Sequence, residues 1–180
     1  RKFLFRILAM GHAQLAQVIG ARGPNTQVNA ACASGAQAIA IGSDWIEQGR
    51  CDRVIVVTAD DVTHPSSLPW IGTGFLAAGA ATTEKDPTQA ALPFGAKRDG
   101  MIVGSGAACF VLERDALVAE RGMEPLADVL ATLFTNTAFH ATRLESGFIQ
   151  DSFESFVAEV AAKRGVGVEE LGRDAFFMSH

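Results

Sequence analysis

The most constraining feature of this sequence is Cys32, which stands between a short apolar segment and an alanine-rich segment with helical periodicity. Residues 26–31 predict a buried strand that ends in small side chains, and residues 34–47 predict a helix. Cys32 is therefore expected at a strand-to-helix junction, where unpaired N–H groups and the positive end of the helix dipole favour a thiolate over a thiol. Because its small neighbours leave room for a substrate carbon, the junction predicts a nucleophilic cysteine.

A structural role is the alternative for Cys32, because free cysteine usually behaves as a small buried hydrophobic residue. The other two cysteines favour that role, since Cys51 follows a helix end and Cys109 lies in an apolar run. The sequence has no Cys-x-x-Cys pair, which argues against a zinc site and against a thioredoxin-type redox pair. An odd number of cysteines without a secretory signal favours a reducing compartment, so we expect a cytoplasmic protein.

The rest of the chain alternates between strand and helix patterns. The predicted elements are a helix at 5–18 ending at Gly20, strands at 26–31 and 53–58, helices at 34–47 and about 70–80, strands at 107–113 and 126–135, and a helix capped by Asp151 or Ser152 that ends at Gly165. The continuous apolar run at 53–58 is typical of a sheet covered on both faces. Residues 60–99 form a long connecting segment, called the excursion below, and we expect its aromatic side chains Trp70, Phe75 and Phe94 to be shielded from water. This alternation predicts an α/β fold.

Charge and motifs exclude several classes of function. The net charge is −5 with dispersed Lys and Arg residues, which gives no electrostatic support for nucleic-acid binding. No apolar run reaches the roughly 18 residues that a membrane-spanning helix needs. Gly104 and Gly106 do not complete a dinucleotide fingerprint, because Cys109 stands at the third glycine position and a strand follows. We therefore expect no membrane span, no nucleic-acid partner and no metal or nucleotide cofactor.

Several short blocks, taken in order, resemble the β-ketoacyl synthases of fatty-acid and polyketide assembly. The blocks are Gly23-Pro24-Asn25, Ala31-Cys32-Ala33-Ser34-Gly35, Gln48 to Asp52 followed by Val54 to Val57, Pro93-Phe94, Lys97 to Gly100, Gly104 to Ala107, and Phe176 to His180. The resemblance implies a partial thiolase-like fold, with layered sheets and helices between and outside them. It also implies one incomplete ketosynthase domain, in which 1–115 is the end of the N-terminal half and 116–180 the start of the C-terminal half. Since a complete synthase is roughly twice as long, the chain is expected to be an internal, inactive fragment.

The resemblance also implies a reaction and its residues. The reaction is a decarboxylating Claisen condensation, in which Cys32 accepts an acyl group from the phosphopantetheine arm of an acyl carrier protein and malonyl-carrier protein supplies the extending unit. His180 would stabilise the enolate, Phe75 would line the acyl channel, and Thr142, beside His140, would lie at the pantetheine tunnel. No cofactor is bound, because the carrier brings the substrates. A homodimer is expected, with residues 26–31 pairing across a two-fold axis.

Two positions depart from the family pattern and keep alternatives open. Gly95 stands where an aspartate is common, and Ser105 replaces an acidic residue common between two glycines. One alternative is a non-condensing ketosynthase-like domain that binds acyl thioesters or serves as a dimer scaffold. Another is a thiolase, which condenses acyl-CoA without decarboxylation. For Phe75 the alternative is a simple core residue.

Overall fold

A computed structural model describes residues 10–139, 143–173 and 175–178 of the chain. Its elements in chain order are α1 (Gly11–Ile19), α2 (Ser34–Glu47), β1 (Arg53–Asp61), α3 (Leu68–Ala77), β2 (Ser105–Glu113), α4 (Asp115–Glu120), α5 (Ser146–Arg164) and α6 (Val168–Gly172). The helix predicted at 34–47 and the strands predicted at 53–58 and 107–113 are confirmed. The predicted residues 5–9 of the first helix lie outside the described residues.

The two strands form an antiparallel ladder that runs from Arg53 opposite Glu113 to Asp61 opposite Ser105. Helix α2 packs on one face of this ladder. On the other face the apolar side chains stay in solvent: Ile55 is 43%, Val57 44% and Val111 58% exposed. Residues 53–58 were expected to be covered on both faces, but the described residues cover only the face toward α2.

Two predicted strands are absent from the described residues. Residues 26–31 and 126–135 run without a strand ladder, and most of their side chains are exposed. A strand is stable only where a neighbouring strand pairs its N–H and C=O groups, and none of the described segments does so here. The predictions of a buried strand at 26–31 and of a strand at 126–135 are therefore wrong for the described residues, because neither segment has a partner strand there.

The predicted C-terminal ends of two helices are confirmed, whereas the predicted N-terminal cap of α5 is wrong. Gly20 and Gly165 both adopt the left-handed conformation, at φ 72° and 67°, and end α1 and α5 as predicted. Helix α5 begins at Ser146, so the prediction of a cap at Asp151 or Ser152 is wrong. The cap is Glu145, whose carboxylate accepts a hydrogen bond from the Phe148 N–H at 2.9 Å.

The excursion between β1 and β2 folds back on itself. Ala80 and Thr82 exchange backbone hydrogen bonds with Met101, at 2.8 and 2.9 Å. The carboxylate of Asp99 accepts a hydrogen bond from the Thr82 hydroxyl at 2.9 Å. The segment is therefore folded and is not a linker, as predicted, and it contains α3 where a helix was predicted at about 70–80. Its aromatic residues are less covered than expected: Phe94, with φ 60°, is 84% exposed and Trp70 is also exposed.

Ion pairs connect the two strands at the end of the sheet far from Cys32. The carboxylate of Glu113 on β2 pairs with Arg53 on β1, and with Arg121 after α4 at 2.7 Å. The hydrogen bond from Arg53 lowers the pKa of Glu113 below its ordinary value, and Arg121 adds to this effect. One carboxylate thus joins both strands to the segment that follows them.

We expect Glu113→Gln to lower the stability of the protein at neutral pH and to leave it nearly unchanged in acid. A carboxyl whose pKa is lowered by folding contributes stability above its unfolded pKa, and this contribution disappears as the pH falls through the folded pKa. Urea unfolding between pH 3 and 8 should therefore give a shallower acid decline for the variant than for the unsubstituted protein. Glu124→Gln is the control, because Glu124 forms no ion pair among the described residues. Parallel pH profiles for the Glu113 variant and the unsubstituted protein would contradict the prediction.

Candidate active site around Cys32

Cys32 lies at the centre of a tight turn that leads directly into α2, and its side chain is exposed. The Ala33 N–H donates to the Ala30 carbonyl at 3.0 Å, and the Ser34 N–H donates to the Ala31 carbonyl at 3.1 Å. Ala31 has φ 48°, a left-handed conformation that is uncommon for a residue with a Cβ and costs about 1–3 kcal/mol. The backbone thus accepts strain at the residue before the cysteine and presents the thiol to solvent.

The hydroxyl of Ser34 fixes this turn from the helix side. It accepts a hydrogen bond from the Ala30 N–H at 2.8 Å and donates one to the Ala31 carbonyl at 2.6 Å. The two bonds close the backbone around Cys32 through a single side chain. The sequence interpretation used Ser34 only as a small neighbour and a helix start. The available signal was its position, because a serine in a first helical turn often bonds the preceding backbone.

The start of α2 presents unpaired donors beside the thiol. Among the described residues, the N–H groups of Cys32, Gly35 and Ala36 have no hydrogen-bond acceptor. The cap residue Ala33 has no side chain that could accept from them. Because these donors lie at the positive end of a 14-residue helix, they favour negative charge near Cys32. The arrangement can stabilise the oxyanion of a tetrahedral intermediate.

The turn is positioned at one end of the two-stranded sheet. Gly35 faces Thr58 on β1 so closely that a Cβ on the glycine would lie 3.0 Å from the Thr58 Cγ2. At the same end of the sheet, the Ser105 hydroxyl donates to the Asp61 carboxylate at 2.8 Å and lies 2.6 Å from the Thr63 hydroxyl. This polar cluster, which consists of Asp61, Thr63 and Ser105, was not anticipated from the sequence.

The remaining predicted site residues are not brought to Cys32 within the described part of the chain. Phe75 lies on α3 and is 37% exposed, with no hydrogen bond or ring contact to the Cys32 turn. Thr142 and His180 lie outside the described residues, as does His140. Phe177, three residues before His180, packs edge-on against Phe153 of α5 with ring centroids 5.8 Å apart. The described part of the candidate site therefore contains Cys32 and the unpaired N–H groups at the start of α2.

The other cysteines and cavities offer no competing centre. Cys51 is partly buried, and Cys109 on β2 is exposed opposite Val57 on the uncovered face of the sheet. Within the described ranges, no three His, Cys, Asp or Glu side chains form a group that could hold a metal ion. A groove of about 460 Å³ runs along α5 between Leu133 and Phe156, and none of its lining residues is a predicted site residue.

No helix in the described part of the chain is both long and apolar enough to cross a bilayer.

The family model and the individual relatives that match this chain all indicate the same protein family. Residues 3–117 match the family model described as the N-terminal domain of β-ketoacyl synthase. The ketoacyl synthase alpha subunit of the tetracenomycin polyketide synthase of Streptomyces glaucescens is 34% identical over 132 residues, which are 73% of this chain and 30% of that protein. The 3-oxoacyl-[acyl-carrier-protein] synthase 2 of Vibrio cholerae is 31% identical over 156 residues, 85% of this chain and 36% of that protein.

A solved structure agrees in fold. It is a type II polyketide ketosynthase bound to the hexaketide, in complex with its acyl-carrier protein; its TM-score is 0.56 at 25% identity, over 63% of this chain and 27% of the matched chain. The described elements are therefore part of a thiolase-like fold, which confirms the predicted fold class. The chain spans about a third of the length of the curated relatives it matches.

We expect Ser34→Ala to release the Cys32 turn, because the Ala30 N–H loses its acceptor. The loss of one such hydrogen bond typically lowers the free energy of unfolding by about 1 kcal/mol. Hydrogen exchange read at the Ala30 amide should be faster in this variant and close to normal in Ser34→Thr, which keeps the hydroxyl. Equal exchange rates at Ala30 in the alanine variant and the unsubstituted protein would show that the hydroxyl does not hold the turn.

Proposed function

This chain belongs to the β-ketoacyl synthase family, and we propose on that premise that the protein condenses acyl groups by decarboxylating Claisen chemistry in fatty-acid or polyketide synthesis. The observation that carries the proposal is the exposed Cys32, held on a strained turn at the start of α2 with unpaired N–H groups beside it. A cysteine so placed suits covalent catalysis, which divides one difficult reaction into two easier steps. The acyl substrates arrive on the phosphopantetheine arm of an acyl carrier protein.

The first step transfers an acyl group to the enzyme. The Cys32 Sγ, as thiolate, attacks the carbonyl carbon of the carrier-bound thioester, and its electron pair forms the new C–S bond. The carbonyl oxygen becomes an oxyanion, which the N–H groups of Cys32, Gly35 or Ala36 are positioned to stabilise. Collapse of this intermediate breaks the bond to the pantetheine sulfur, which leaves as a thiol after taking up a proton. The product is an acyl thioester on Cys32.

The second step extends the chain. The malonyl thioester on a second carrier loses CO₂, and the electron pair of the broken C–C bond forms an enolate. We assign stabilisation of this enolate to His180, which would donate a hydrogen bond to the thioester oxygen. The enolate carbon attacks the carbonyl of the Cys32 thioester, the C–S bond breaks, and the thiolate is regenerated. The β-ketoacyl product remains on the carrier.

Substrate binding is assigned from the family resemblance. Phe75 would line the acyl channel, and Thr142 would contact the pantetheine arm. The partial exposure of Phe75 on α3 is compatible with contact to an acyl chain. The structural relative was solved in complex with its acyl-carrier protein, which supports a carrier protein as the partner of this chain.

Assembly is the other part of the proposal. Residues 26–31 have no strand partner among the described residues, and the resembled family pairs this segment with its own copy, so we infer that a second copy supplies a partner strand across a two-fold axis. We assign residues 1–115 to the end of the N-terminal half of the ketosynthase domain and residues 116–180 to the start of its C-terminal half. We also assign the protein to the cytoplasm. We expect residues 1–180 alone not to turn over, because stabilisation of the enolate would depend on the single donor His180, and a deficit of one such donor typically costs about 100- to 1,000-fold in rate.

We expect Cys32→Ala to abolish acyl transfer in the complete protein. Incubation with acyl-carrier protein, followed by peptide mass spectrometry, should find the acyl group on Cys32 of the unsubstituted protein and on no cysteine of the variant. Condensation with malonyl-carrier protein should fall by a factor on the order of a thousand or more, since the covalent step is removed. Cys109→Ala is the matched control, because Cys109 is also exposed but lies in mid-strand, and it should keep full activity.

Other outcomes of this experiment identify the alternatives. Acylation of Cys32 without release of CO₂ or formation of a β-ketoacyl product would indicate a non-condensing, acyl-binding domain. Condensation of acyl-CoA without release of CO₂ would indicate a thiolase. Acylation spread equally over Cys32, Cys51 and Cys109 would contradict the role of the helix start in activating Cys32.

A further inference from the structure

Helix α2 lies unusually close to the sheet at two points, and both points are glycines. A Cβ on Gly42 would lie 2.9 Å from the Leu112 Cδ1 and 3.2 Å from the Val54 Cγ1. A Cβ on Gly35 would lie 3.0 Å from the Thr58 Cγ2. All three distances are shorter than ordinary carbon–carbon contact, which is about 3.5–4.0 Å. The helix therefore occupies a position on the sheet that alanine at either point would disturb.

The two contacts form one line along the helix and along the strand. Gly35 and Gly42 are seven residues apart, which is about 10 Å of helix and close to two full turns, so they share one face. Thr58 and Val54 are four residues apart on β1, which is about 13 Å, and their side chains also share one face. Helix α2 therefore runs antiparallel to β1 with matched contacts at both ends. Two contacts fix both the depth and the tilt of the helix.

The position of these glycines is not explained by helix formation. Alanine favours a helix interior more than glycine does, and Gly42 adopts ordinary helical geometry with no positive φ. Gly42 is also buried, like its helix neighbour Ala40. A small residue in this place serves close packing between helix and sheet.

We propose that Gly42 and Gly35 are positioning residues that set the location of Cys32 by setting how α2 rests on β1 and β2. This inference rests on the proposed acyl transfer to Cys32. The turn that carries Cys32 is continuous with α2 and is closed onto it by Ser34, so a shift of the helix moves the turn. The thiol and its N–H donors move together with the helix, whereas residues on other elements do not. Substitution at Gly42 therefore misaligns the nucleophile relative to a bound substrate without altering the turn itself.

The test uses the complete protein and a compensating pair. Gly42→Ala should lower kcat for acyl transfer by about 10- to 100-fold, because a displacement of about 1 Å costs this much in reactive geometry. Leu112→Val removes the Cδ1 atom that lies nearest to the new methyl group, so Gly42→Ala with Leu112→Val should recover part of the loss, while the Val54 Cγ1 contact at 3.2 Å remains. KM for the acyl carrier protein should change by less than about twofold in each variant, because Gly42 is buried and so cannot contact the carrier directly. Gly172→Ala is the control, since a Cβ there would meet nothing within 4 Å.

A second pair keeps the inference testable if Gly42→Ala does not fold. Gly35→Ala should lower kcat, and Thr58→Ser should restore it, because serine lacks the Cγ2 methyl that lies 3.0 Å from the new Cβ. Acyl-Cys32 is measured by mass spectrometry in every sample. A normal kcat in Gly42→Ala, or a loss that neither compensating substitution restores, would overturn the inference while leaving the proposed function intact. Absence of acyl-Cys32 in the unsubstituted protein would overturn both.

Discussion

The packing of α2 against β1 and β2 is the contact on which the rest of this structure depends. It covers one face of the ladder around Val56, and it brings the start of α2 to the end of β1 where Thr58 lies. Apolar burial supplies the driving force, and the two glycines decide how close the helix comes. The Cys32 turn is an extension of this helix, so the position of Cys32 depends on packing several residues away. Close packing rather than a rigid loop therefore positions the cysteine.

The Cys32 turn combines strain with local hydrogen bonding. Ala31 adopts a conformation that favours glycine, and the two hydrogen bonds of Ser34 offset part of the cost. The Ser34 hydroxyl forms its hydrogen bonds with the backbone of Ala30 and Ala31, so it does not cap the first N–H groups of the helix. Those groups stay free to interact with a substrate. The same residue thus holds the turn and leaves the helix start open, which is what a site for a developing oxyanion requires.

The parts of the structure that follow from local patterns were predicted well. Helix α2, strands β1 and β2 and the glycine ends of α1 and α5 depend on periodicity, β-branched runs and φ > 0, all of which are visible in the sequence. Residues 26–31 and 126–135 were predicted as strands and form none, because a strand needs a partner that sequence pattern cannot supply. The cysteine and its helix start were predicted from residue types. The roles of Ser34 and Gly42 were not, because they depend on distances to the Ala30 N–H and to Leu112.

The polar cluster at the sheet end changes how the departure at Ser105 is interpreted. By sequence, Ser105 replaces a carboxylate that is common in the resembled family. In space, Ser105 is the ladder partner of Asp61, and directly opposite residues of an antiparallel pair point to the same face about 5 Å apart. The Ser105 hydroxyl donates a hydrogen bond to the Asp61 carboxylate and so joins the two strands at this end of the sheet. Because the fixed register places Ser105 directly opposite Asp61, the effect of a serine at this position depends on its hydrogen bond to that carboxylate as well as on its own side chain.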